Sequence, residues 1–139
     1  MPGMIRTRKA GATTRIERGG HAEVTSATGG RIAIASRASE AGFSPLDLLH
    51  AALSACLAVS ARVAAGELGF IDRFAGATVS VAGEKAGEGQ DRIATFRLTM
   101  VIEGTLDAHE KAAIVTRAEE LCTVSNTVKG APAILIAPS

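Results

Sequence analysis

A chain of 139 residues with a formal net charge of +1 has the size of one domain and no strong electrostatic pull toward nucleic acid or an anionic membrane. Hydrophobic residues make up 47 %, yet aromatics only 3 %, with four Phe and no Trp or Tyr. Few rings argue against a single-strand nucleic-acid binder, and a core of Ala, Val, Leu and Ile needs long, closely packed helices or a partner subunit.

No repeat or long linker divides the sequence, which reads as one domain over 1–139. Residues 1–11 read as a flexible or strand-forming arm. Arg6, Arg8, Lys9 and Arg15 carry its basic character, with no acid before Glu17. A transit peptide has such a pattern, and so does an exposed strand with solvated charges. The start lacks the apolar run and small-residue cleavage site of a secretory signal. Residues 12–17 and 21–27 read as weak strands split by Gly19-Gly20, and Gly29-Gly30 turns the chain into a third strand over 31–35.

After a loop from Ser36 to Phe43 comes the clearest helix start. Ser44 is placed to cap, Pro45 sits at the first helical position, and Asp47 lies in the first turn, where the helix dipole favours an acid. The helix is expected to run to about Leu68, with Gly69 as terminator. Apolar and small residues surround it, as in a helix enclosed by other elements. Asp47, His50, Arg62 and Glu67 interrupt its apolar stretch, so it reads as a core helix and not a membrane span.

Residues 77–84 and 92–103 form a hairpin about a charged, Gly-rich loop, with Phe96, Leu98, Met100 and Ile102 on one face. Asp107 and Glu110 have capping-box spacing at the start of a second helix, which continues through Cys122. A short helical segment follows to Val128, Gly130 and Pro132 break it, and residues 133–137 read as a last strand. The order is βββ-α-ββ-α-β, an α+β fold.

Two cysteines without a secretory signal point to reduced thiols in the cytoplasm. Cys56 sits mid-helix and Cys122 at the end of the second helix. Residue types alone leave two readings open: small core hydrophobes, or a reactive pair. The second needs a positive group beside a thiolate and helices that bring the two Cα atoms within about 7 Å. His21, His50 and His109 are scattered, without ligand spacing to a Cys, so no metal is implied. His50, six residues before Cys56, reads as a helix-face residue and not as its base. No nucleophile elbow, P-loop or dinucleotide fingerprint is present.

The run Phe43-Ser44-Pro45-Leu46-Asp47-Leu48-Leu49-His50-Ala51-Ala52-Leu53-Ser54-Ala55-Cys56 resembles the central signature of the OsmC/Ohr superfamily, with a Cys eleven residues after the Pro. Glu119-Glu120-Leu121-Cys122-Thr123-Val124-Ser125 resembles its second cysteine motif. The resemblance covers about residues 15–137. It implies an intertwined homodimer around long central helices and reduction of organic hydroperoxides by the Cys56/Cys122 pair. A thiol or dithiol would reset the pair, with no metal, flavin or haem. It further implies a guanidinium for the Cys56 thiolate: Arg37 first, eight residues before Pro45, with Arg18 and Arg31 as alternatives. Peroxidase members usually carry Glu directly after the Pro; here Leu46 stands there and the acid is Asp47, about 100° further round a helix. The residue after the second Cys, often Pro, is Thr123. These departures leave a second reading: a dimer of the same fold that binds a small hydrophobic molecule or senses redox state without turnover.

Overall fold

Ser44 and Asp47 close the start of the longest helix reciprocally: Ser44 Oγ accepts from the Asp47 N–H at 3.1 Å, and Asp47 Oδ2 accepts from the Ser44 N–H at 3.0 Å. From this cap, helix α1 runs Pro45–Glu67 in the computed structural model, which describes residues 8–139. Gly69, with φ of +78°, ends it: the Phe70 N–H reaches Ala65 O at 2.7 Å, and the Gly69 N–H reaches Gly66 O. Before α1 lie strands β1 (Ala12–Arg15), β2 (Glu23–Ser26) and β3 (Arg31–Ala33). After it come a 3-10 turn at Ile71–Arg73, strands β4 (Phe74–Lys85) and β5 (Ile93–Gly104), and helices α2 (Ala108–Leu121) and α3 (Thr123–Lys129). The fold is α+β, as expected. Residues 1–7 of the expected N-terminal arm, Arg6 among them, lie outside the described residues; Arg8 donates to Thr28 Oγ1.

The chain falls into two compact units, one ending at Leu48 and one running from Leu49 to Ser139. The first holds a three-stranded antiparallel meander in the order β1-β2-β3. Ile34 bridges Phe43, which closes the loop between them.

The second unit holds the β4-β5 hairpin, α2, α3 and most of α1. Antiparallel pairing places Ala77 opposite Ile102 and Val79 opposite Met100, so these apolar residues share the inner face. Ala61, Ala64 and Ala65 of α1 meet Ile102, Ile114 and Ala118 there. The small side chains let the two helices and the sheet approach closely, the solution expected of a core poor in rings. Gly104, with φ of +139°, turns the chain out of β5 where any Cβ would stand 2.0 Å from Arg73 O. Asp107 then caps α2, accepting from the Glu110 N–H at 2.8 Å while Glu110 accepts from the Asp107 N–H at 3.1 Å.

Two expectations are corrected. Residues 133–137 are not a strand: no regular element follows Lys129 among the described residues, and Ile134, Leu135 and Ile136 are 84 %, 93 % and 85 % exposed. Alternation alone does not make a strand, which needs an edge to pair with, and this segment has no β partner within the described chain. Helix α1 is also not enclosed: Leu49, Val59 and Val63 are 38 %, 55 % and 48 % exposed. By length and composition it is apolar enough to cross a membrane, but Leu53, Leu57, Ala61, Ala64 and Ala65 are buried in the second unit's core.

Candidate functional site

Cys56 and Cys122 come from different elements and meet in one apolar cluster. Cys56 lies on α1 beside Leu57, on the flank of the buried Leu53/Leu57 stripe, and is half-buried. Cys122 ends α2 and caps α3, where the chain breaks between the two helices. No part of it is exposed, and Leu53, Leu57, Val79, Val81, Phe96, Met100 and Val124 pack around the cluster. Cys56 packs against the cluster that holds Cys122, and both are free thiols. A second contact fixes the Cys122 sulfur, which accepts from the Ser125 N–H at 3.4 Å.

The site's electrostatics follow from this burial. Burial pushes the Cys122 thiol up from its ordinary pKa, and the neighbouring Cys56 thiol pushes it further; the Ser125 N–H opposes both. Beside the pair, a groove of about 260 Å³ is lined by Leu57, Leu98, Met100 and Val115, with Glu119 and Ser125 supplying its polar edge. Glu119 also accepts from Lys129 Nζ at 3.1 Å. His50 is turned inward against the ring of Phe96, edge-on at 5.5 Å between centroids. Phe96 thus touches both His50 and the cysteine cluster.

The remaining expected residues belong to the first unit. Arg37 lies in the loop before α1 and beside a cavity lined by Gly20, His21, Ser36, Ser39 and Glu40. The loop is fastened by Glu40: its Oε1 is 2.5 Å from His21 Nε2, and its N–H donates to Arg37 O at 3.0 Å. The hydrogen bond from His21 is the main reason that the Glu40 carboxyl is held below its usual range. Among the described residues the Arg37 guanidinium makes no ion pair, whereas Arg31 is engaged by Glu23 at 2.8 Å. Arg18 is exposed in the turn between β1 and β2. Asp47 is bound into the capping box of α1. Sequence reasoning missed the Ser125 N–H and the apolar groove, because Leu98, Met100 and Val115 carry no signal beyond their hydrophobicity.

The family model described as OsmC-like protein matches residues 38–136, which includes Pro45, both cysteines and everything between them. No curated protein matches the sequence significantly. Among solved structures, the chain is similar to an OsmC-like protein from Mycoplasma pneumoniae, with a TM-score of 0.75 and 19 % identity over 88 % of this chain and 89 % of that one. It is also similar to the organic hydroperoxide resistance protein OhrB of Bacillus subtilis, with a TM-score of 0.64 and 21 % identity over 88 % and 92 %. A third structure, an organic hydroperoxide resistance protein OsmC from Legionella pneumophila, aligns with a TM-score of 0.65 and 20 % identity over 88 % and 90 %. At these identities the likeness establishes the fold.

Proposed function

The chain belongs to the OsmC-like family, and from that premise we propose that it is a thiol-dependent peroxidase that reduces organic hydroperoxides in oxidative stress defence. The observation that carries this reading is the meeting of two free thiols, one half-buried and one fully buried, in one apolar cluster that shares Leu57 and Met100 with an adjoining groove. Two fold relatives named for organic hydroperoxide resistance support it.

In this reading the Cys56 thiolate attacks the terminal oxygen of R–O–O–H. The S–O bond forms as the O–O bond breaks, sulfur gives up two electrons, and the alkoxide takes a proton and leaves as the alcohol. Cys56 is then a sulfenic acid. Cys122 attacks its sulfur, the S–S bond forms, and the hydroxyl leaves with the Cys122 proton as water. An external thiol or dithiol reduces the disulfide by exchange. Arg37 is the guanidinium that the family resemblance assigns to the thiolate and the peroxide. Asp47 is a positioning residue that fixes the start of the helix carrying Cys56. The protein works in the cytoplasm, where its thiols stay reduced, as a homodimer whose second copy covers the open face of α1.

The test is one equivalent of cumene hydroperoxide added to the reduced protein. The expected result is loss of both thiols and a cross-linked Cys56–Cys122 peptide by mass spectrometry. Two unreacted thiols after prolonged exposure count against the proposal. That outcome favours the other reading, a dimer that binds a small hydrophobic molecule without turnover, which rests on Leu46 in the usual Glu position and on the apolar groove.

A further inference from the structure

We infer that Glu40 is a positioning residue: its carboxylate ties the loop that carries Arg37 to the strand meander through His21 and Ser36, and so fixes where the Arg37 guanidinium is presented. The inference rests on the reading of Arg37 as the guanidinium that serves the peroxide.

All the contacts lie within the first unit. The meander is the anchor. Ala22 O accepts the Ile34 N–H at 2.9 Å, which holds the chain beside His21 to the third strand. The loop from Ser36 to Gly42 is closed at its base by the Ile34–Phe43 bridge and by the Ala35 N–H, which donates to Phe43 O at 2.9 Å. A closed base does not by itself order the exposed residues above it, since they gain little from burial. Arg37 is one of those residues.

Glu40 supplies the second tie. Its Oε1 is 2.5 Å from His21 Nε2, across to the meander. Its Oε2 accepts the Ser36 N–H at 3.4 Å, on the residue before Arg37. Its own N–H donates to Arg37 O at 3.0 Å and closes a turn over residues 37–40. One residue thus holds the chain on both sides of the Arg37 Cα while it is itself fastened to the sheet. A guanidinium that stabilises a developing charge acts best when its place is set in advance, because its rearrangement is then no part of the barrier. Freeing the loop spreads the guanidinium over many positions. The His21 side chain is 52 % exposed and that of Glu40 31 %, so the tie is a modest one, and its loss loosens the loop without unfolding the protein.

The experiment has two readouts. The first is trypsin cleavage after Arg37, followed by mass spectrometry in wild type, Glu40→Ala, Glu40→Gln and His21→Ala. Cleavage is expected to be about two- to fivefold faster in both alanine variants, with cleavage after Arg117, within α2, unchanged. His21→Ala leaves the cleaved sequence as it is. Glutamine keeps one of the two accepting oxygens and is expected to fall between alanine and wild type. The second readout is single-turnover oxidation of Cys56 by cumene hydroperoxide in the same forms, in Arg37→Ala and in Glu40→Ala with Arg37→Ala. The rate is expected to fall about two- to fivefold in Glu40→Ala and His21→Ala, to recover in part in Glu40→Gln, and to fall no further when Glu40→Ala is added to Arg37→Ala. Unchanged cleavage after Arg37 in both alanine variants overturns the tie. An equal loss of rate with and without Arg37 overturns the positioning role. If every form oxidises at the wild-type rate, the peroxidase reading stands and the positioning role falls. If the cleavage order holds but no form reacts with peroxide, the tie alone stands and the peroxidase reading falls.

Discussion

A Cβ on Gly83 would stand 2.6 Å from His50 Nε2, so the absence of a side chain on β4 is what lets the imidazole lie inward against Phe96. Gly83→Ala is expected to destabilise the protein by about 1–3 kcal/mol in urea unfolding, since the ring and the sheet cannot both keep their places. An unchanged midpoint would mean that His50 moves freely. Several single residues of the site were legible in the sequence. Ser44, Pro45 and Asp47 announce a helix start because capping chemistry is local, and the structure forms that cap. The pairing of Cys56 with Cys122 was not legible from spacing, because it depends on how α1 and α2 pack. Only the resemblance to known cysteine motifs suggested it. The Ser125 contact depends on the break between α2 and α3, whose geometry the run Leu121-Cys122-Thr123 does not disclose.

At the scale of elements, α2 is anchored at its first turn. Arg73 grips Glu110 through two bonds, Nη1 to Oε1 at 2.9 Å and Nη2 to Oε2 at 2.5 Å, and also donates to Thr105 O. The Arg73 guanidinium foremost, then the Asp107 N–H, holds the Glu110 carboxyl down at about 2. Because this pKa is depressed on folding, the contribution is present above the ordinary carboxylate range and is lost as pH falls toward 2. Glu110→Gln is therefore expected to lower the urea midpoint at pH 7 and to converge on wild type in acid. A deficit constant with pH would show that the loss is one of packing. At the other end of the energy scale, Ile114 is fully buried between α1, α2 and the hairpin. Ile114→Ala is expected to cost about 2–5 kcal/mol in urea unfolding; a loss below 1 kcal/mol would contradict its place in the core.

For the whole molecule, the exposed apolar surface is the dominant fact. Leu49, Val59 and Val63 on α1, and Ile134, Leu135 and Ile136 at the C-terminus, remain uncovered in one chain. Exposed apolar side chains in this number suit an interaction surface, and a second copy is the partner proposed. The expected last strand fails at the same scale: strand order and capping were readable from local chemistry, but whether residues 133–137 find an edge to pair with was not. Sedimentation is expected to give a dimer at micromolar concentration, and Val59→Glu with Val63→Glu is expected to weaken it at least tenfold. A folded wild type that stays monomeric at every concentration would contradict the dimer.

The central claim is that the two thiols turn over organic hydroperoxide. Its most direct test follows the loss of cumene hydroperoxide by the reduced protein with excess dithiol, beside Cys56→Ser and Cys122→Ser. The account predicts sustained loss by wild type and none above background in Cys56→Ser. In Cys122→Ser, formation of the Cys56 sulfenic acid continues while disulfide-dependent cycling fails. Undiminished turnover in Cys56→Ser, or no turnover by a folded wild type with two titratable thiols, would contradict it.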